Sequence, residues 1–301
     1  MKGLVIRHRP QLRKPTLVVG FGGWANAAEI STGVVNYLKN VLGARKLGEI
    51  HPEGFYSFAV ARPEIVVRHG VIKSVEIVSN KFYSWRNVES DRDLILLQAI
   101  EPHLSWPGYV DCVLEVAERF SVVKVVTVGG FYDRVPHTRR PKVTAVVNDP
   151  ALVADLEEFD IGLTEYEGPS SIHSYLLAAC GARGIPGLSL WGHAPDYVQG
   201  VGNPRVCQAV VAKLSVLLNI DIDLEQLKGA GDYLDETLGR LLNHNPELQQ
   251  HVRKLEDEYD SSGPARVEPL GKTTRILKEV EDFLRSEQRK RGKRPPEDGQ
   301  N

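Results

Sequence analysis

Two stretches carry residue types at spacings that suit chemistry. "GFGGWA" (Gly20 to Ala25) directly follows the apolar run from Thr16 to Phe21 and precedes a stretch with helical spacing. Gly20, Gly22 and Ala25 fit the GxGxxG/A pattern in its required strand–turn–helix setting. With Gly23 beside them, such a turn presents backbone amides and a helix N-terminus to a phosphate, so Gly20, Gly22 and Gly23 form a candidate anion or nucleotide site. Trp24, however, adds bulk where a pyrophosphate needs close backbone approach, and the expected acidic ribose partner has only Glu49 as a loose candidate. The alternative is a tight turn that simply needs small residues.

The second stretch is "SLWGHAPDYVQGVGNP" (Ser189 to Pro204), which leaves an apolar strand and meets Trp191, His193, Asp196 and Tyr197. It falls where an open α/β sheet carries its functional edge, as do "EPHLSWPGY" (Glu101 to Tyr109) and "GGFYDRVPHTRRP" (Gly129 to Pro141). Aromatic and arginine side chains dominate protein–protein hot spots, which makes Trp24, His137, Arg139, Trp191, His193 and Tyr197 a candidate protein-binding surface. An enzyme cleft would need convergent ionisable groups, and Asp133, His137, His193 and Asp196 are the candidates for acid–base work. On a third reading, these prolines and aromatics only stiffen long loops. The residues alone leave all three open.

Other chemistry lacks its signature. "GPSSI" has isoleucine at 172 where a GxSxG nucleophile elbow needs glycine, so Ser170 or Ser171 reads as a helix cap. No two histidines stand at HxxxH or HExxH spacing, so no metal is expected, and no GxxxxGK[ST] phosphate cradle occurs. Cys112, Cys180 and Cys207 form no CxxC pair and read as reduced thiols.

The elements that must position these loops are alternating strands and helices. "TLVVGF", "DLILLQAI", "VVKVVTVGGF", "PKVTAVV" and "IPGLSLW" are apolar throughout, the pattern of strands buried on both faces. Between them, helices are expected over 27–42, 110–120, 172–182 and 207–218, the last capped by Asn203 with Pro204 at its first position. "EIVVRHGVIKSVEI" reads as a hairpin turning at His69-Gly70 and is expected to insert an antiparallel element, making the sheet mixed. The fold class is therefore α/β, with a mixed, mostly parallel sheet between helical layers.

Beyond Asn219 the chain becomes charged and helical. Leu248, Val252, Leu255 and Tyr259 share one face, and Ile276, Leu277, Val280, Phe283 and Leu284 form a second stripe beyond the linker "DSSGPARVEPLGK". The expected organisation is an α/β domain over 1–220, a helical extension over 221–288 and a disordered tail over 289–301. Across 301 residues the formal net charge is −2, with 42% hydrophobic and 25% charged residues, a balance that gives no reason to expect a nucleic-acid partner. No secretory leader opens the chain and no apolar run is long enough to span a bilayer, so a cytoplasmic protein without a membrane partner is expected.

"GFGGWANAA", "VPHTRRPKVTAV" and "YEGPSSIHSYLLAACGARGIPGLSLWGHAPDYVQGVGNP", in that order, resemble the PAC2 family of proteasome assembly chaperone-like proteins, over about 17–219. "LQQHVRKLEDEYD" resembles the C-terminal extension of bacterial members. The resemblance implies a three-layer α/β/α fold of the phosphorylase/hydrolase-like type and homo-oligomers, a trimer among them. It also implies a non-catalytic protein that binds or helps to assemble a protein partner, without a cofactor. Several relatives dock on the proteasome through a C-terminal hydrophobic-Tyr-X tail, whereas this sequence closes on Gly299-Gln300-Asn301. The rival reading is an enzyme, ATP-grasp-like ligase or phosphorylase/hydrolase-like, acting on a nucleotide or a small phosphorylated ligand. The family has no accepted catalytic set to transfer.

Overall fold

The computed structural model describes residues 3–261 and 280–287. In chain order the strands are β1 (Leu4–Ile6), β2 (Thr16–Gly22), β3 (Arg45–Ile50), β4 (Glu64–Arg68), β5 (Val71–Glu76), β6 (Asn80–Trp85), β7 (Leu94–Ile100), β8 (Lys124–Asp133), β9 (Val143–Val147), β10 (Gly162–Leu163) and β11 (Gly187–Pro195). The helices are α1 (Ile30–Val41), α2 (Trp106–Arg119), α3 (Val153–Glu158), α4 (Ile172–Ala182), α5 (Pro204–Leu218), α6 (Glu225–His244) and α7 (Pro246–Ser261), and residues 280–287 are also helical.

Nine strands form one sheet in the order β1-β3-β6-β7-β2-β8-β11-β9-β10. Its centre, β7-β2-β8-β11, is parallel, as the uninterrupted apolar runs require. Alternate residues feed opposite faces. Val18, Leu96, Val126 and Leu190 pack against α1 and α5, while Leu17, Val19, Ile95 and Val125 pack against α2 and α4. The result is a three-layer α/β/α sandwich with a mixed sheet.

The sheet is mixed for a reason other than the one expected. The β4–β5 hairpin does not enter it but forms a separate two-stranded sheet, turning at His69 and Gly70 with φ of 52° and 75°. The antiparallel pairs come instead from β1, β3 and β6 on one side and from β9 beside β11 on the other. β3 and β6 ("RKLGEI", "NKFYSW") bury only part of their residues, so their sequences lack the apolar continuity of the central strands. Two helix starts follow local chemistry. Ser171 Oγ accepts from the Ser174 amide (3.4 Å), and Asn203 Oδ1 accepts from the Val206 amide (3.1 Å) ahead of Pro204.

A third core lies under the C-terminal helices. Leu234, Leu238, Leu241, Leu248, Val252, Leu255, Val280 and Leu284 close over Tyr197, Val198 and Val201 of the loop after β11. The expected apolar face of α7 is thus buried on that loop, as are Val280 and Leu284 of the second stripe. Ile276, Leu277, the linker from Ser262 onward and the tail lie outside the described residues.

Candidate functional site

The glycine turn sits at the carboxyl end of β2. A Cβ on Gly20 would lie 2.4 Å from the Ser31 carbonyl oxygen, so its missing side chain admits helix α1. Gly22 has ordinary room, whereas Gly23 (φ 123°) needs its left-handed backbone and abuts Glu101. The exposed Trp24 donates its amide to Glu101 Oε2 (3.2 Å), and Glu101 Oε1 accepts from the amide of Ile172, the first residue of α4 (3.0 Å). A carboxylate of the chain itself therefore occupies the amide-rich corner between this turn and the start of α4.

Behind the turn, Ser31 Oγ accepts from the Phe21 amide (2.8 Å), donates to the Val128 carbonyl (2.5 Å) and lies 3.3 Å from His173 Nε2. With the serine proton committed to Val128, Nε2–H of His173 is the donor, leaving Nδ1 without a partner among the described residues. Phe21 meets this ring edge-on and Trp191 packs tilted against it, with centroids at 5.2 and 5.5 Å, and burial pulls the His173 pKa down to about 4. Trp191 lies over Gly129, where any Cβ would meet its ring at 2.4 Å.

Two residues along β11, His193 is fully buried in a polar chain. Its Nδ1 lies 2.7 Å from Asp133 Oδ2 and its Nε2 lies 3.0 Å from Thr144 Oγ1, which in turn accepts from Thr164 Oγ1 (2.8 Å). Burial holds the imidazole neutral against the pull of Asp133, which remains a carboxylate. The set has the order of an acid–histidine–hydroxyl relay, but Thr144 is only 1% exposed.

His137 and Tyr197 form a neighbouring pair. The tyrosine hydroxyl accepts the His137 amide (2.7 Å) and lies 2.6 Å from its Nδ1, and burial lowers the His137 pKa. His137, Arg139, His193, Asn203, Arg205 and Asp235 line a recess with only about 10 Å³ for the centre of a water molecule, room for about one water. Asp196, whose pKa burial raises, lies 3.8 Å from His251 of α7.

The loop from Arg134 to Pro141 is clasped by α7. Arg139 makes a two-pronged ion pair with Asp260 (2.9 and 2.8 Å) and a third bond to Glu256 (3.1 Å). Arg134 grips both oxygens of Glu258 (2.9 and 2.7 Å), and the Tyr259 hydroxyl donates to the Arg140 carbonyl (2.9 Å). Because these pairs are largely exposed, they fix orientation more than they add stability. Arg139→Glu is expected to raise cleavage of α7 in limited proteolysis several-fold while leaving the sheet domain resistant; an unchanged digestion pattern would show that the clasp is dispensable.

Of the candidate residues, the structure brings His137, Arg139 and His193 together around the recess, with Tyr197 bonded to His137 and Trp191 on the same strand as His193. Trp24 stands apart, bonded to Glu101. Tyr197 and His193 are buried, not surface residues. Sequence reasoning passed over Glu101, Ser31, Thr144 and the acidic positions of α7. The last had a signal: "EDEYD" carries the charge opposite to "RVPHTRRP".

The chain belongs to the PAC2 family, whose profile matches residues 20–242. Its fold matches a PAC2 family protein from Streptomyces avermitilis, with 29% identity and a TM-score of 0.72 over 79% of this chain and 99% of that one. A proteasome-assembly chaperone homologue from Mycobacterium tuberculosis matches at 27% identity and a TM-score of 0.73, again over 79% and 99%. An uncharacterised protein of Methanocaldococcus jannaschii is 24% identical over 62% of this chain and 70% of its own length. Among the described residues no helix is long and apolar enough to cross a membrane, and no cluster of ligating side chains could hold a metal ion.

Proposed function

We propose that this chain is a self-associating cytoplasmic protein that binds a protein partner in an assembly-chaperone-like role, without catalysing a reaction. One observation carries the reading: the arginine-bearing loop from Arg134 to Pro141 already holds a helix, the acidic α7, by the contacts that protein interfaces use. Membership of the PAC2 family and likeness to a proteasome-assembly chaperone homologue support the same direction. Trp24, which is 64% exposed, and the rim formed by Arg139 and His137 are its working residues, with the half-buried Trp191 and the buried His193 and Tyr197 as their support.

A phosphate entering the Gly20–Gly23 turn would have to displace Glu101 from the amides of Trp24 and Ile172, which weighs against the nucleotide-enzyme alternative. Affinity purification of the tagged chain from its native cells is expected to yield one protein partner in fixed stoichiometry, reduced at least several-fold by Trp24→Ala. Thermal shift against a nucleotide panel is expected to be flat; a ligand at a hundred times its Kd would add about 2.7 kcal/mol, so binding would be plain. A clear shift, or a partner yield indifferent to Trp24, overturns the proposal.

A further inference from the structure

The β4–β5 hairpin takes no part in the proposed protein-binding surface and stands outside the nine-stranded sheet. Ile65, Val66, Val67, Val71, Ile72 and Val75 are each between 41% and 60% exposed, with Phe58 and Val60 also exposed nearby. The cross-strand pairs Ile65–Val75 and Val67–Ile72 are apolar, yet among the described residues no third strand joins the sheet. A two-stranded sheet is marginal alone in water, and an apolar patch of this kind marks an interaction surface.

The two edges of the hairpin differ. Along β5 the register shifts so that Val66 faces Ser74 and Val67 faces Ile72, leaving Lys73 unpaired in a bulge. A bulge bearing a lysine is a device that blunts an edge against further pairing. The nine-stranded sheet is blunted too, ending in strands of 3 and 2 residues. The outer edge of β4 has neither device. Its sequence Glu64-Ile65-Val66-Val67-Arg68 is complementary to itself when run antiparallel about Val66: Glu64 meets Arg68, Ile65 meets Val67, and Val66 meets Val66. Opposite charges placed directly across a sheet attract, and a two-fold contact uses the same patch on both subunits.

We infer that β4 pairs antiparallel with β4 of a second copy of this chain, the two hairpins merging into one four-stranded sheet about a two-fold axis at Val66. The inference rests on the self-association proposed above and names the segment that performs it.

Charge reversal tests it, since the hairpin lies outside the main cores and its variants should leave the folded domain intact by circular dichroism. In sedimentation, Arg68→Glu and Glu64→Arg are each expected to weaken self-association roughly tenfold or more, because both ends of the pair become repulsive. The double variant is expected to restore it. Val66→Cys should give a disulfide-linked dimer on a non-reducing gel, as opposed residues in an antiparallel pair lie about 4.5–5.5 Å apart between Cα atoms. Ile72→Cys on the outer strand should not, and the native Cys112, Cys180 and Cys207 are buried. An oligomer unmoved by either reversal, with no Val66→Cys dimer, overturns the hairpin contact and leaves self-association standing. A wild-type monomer at every concentration, including one whose hairpin binds an unlike protein, overturns both.

Discussion

Replacing Gly20 by alanine is expected to destabilise the protein by about 3 kcal/mol, near the top of the usual range for overpacking a core. The added methyl would lie 2.4 Å from the Ser31 carbonyl oxygen and 2.7 Å from Val35 Cγ2. Helix α1 cannot retreat freely, because Ser31 Oγ is tied to both the Phe21 amide and the Val128 carbonyl. For a domain of this size the loss should appear as a fall in Tm of about 6–12 °C. Gly22→Ala supplies the contrast, since its nearest neighbours would lie at 3.6 Å and little should change. A packing role for the turn predicts this asymmetry. A phosphate cradle would make both glycines sensitive to ligand binding and neither decisive for the melting temperature. Equal Tm values for Gly20→Ala and wild type would refute the packing account.

Acid is expected to undermine the fold through His173, with a sign fixed by its environment. The ring is buried, bonded to Ser31 at one nitrogen, and has a pKa lowered to about 4 from an ordinary 6.5. Above pH 6.5 it is neutral in both the folded and unfolded chain and costs nothing. Between about pH 6.5 and 4 the unfolded chain takes up a proton that the folded one refuses, so stability falls by roughly 3 kcal/mol across that window and levels off below it. His137 and His193, also held neutral by burial, act with the same sign. Asp196, whose pKa is raised, acts with the opposite sign, because protonation relieves a buried charge. Urea unfolding at a series of pH values should show a steeper acid slope for wild type than for His173→Leu, where Ser31 keeps its two backbone bonds. Parallel slopes would mean that His173 does not contribute to acid sensitivity.

How much of this was legible in the sequence depended on whether local chemistry or distant packing decided each element. Strands β2, β7, β8 and β11 were readable because burial on both faces demands apolar side chains at every step. The caps at Ser171 and Asn203 were readable because a side chain reaches an amide only three residues away. β3 and β6 were not, since their pairing depends on neighbours many residues distant and their half-polar sequences fit several structures. The hairpin announced its own turn but not its separation from the sheet, which sequence pattern does not encode. At the candidate site the sequence marked His137, Arg139, Trp191, His193 and Tyr197. It could not show that two of them are sealed inside, nor that Glu101 bridges Trp24, 77 positions before it, to Ile172 of α4, 71 positions after it.

The clasp between Arg139 and Asp260 has a consequence for recognition. A helix tethered to its own receptor acts like a rival ligand at a local concentration of about a millimolar or more. Any outside segment that competes for the same arginines must match that level or bind more tightly than α7 does. On the proposed protein-binding role, the occupied loop would act as a threshold: weak acidic helices encountered at random would be turned away, and only a partner with additional contacts elsewhere on the surface would gain entry.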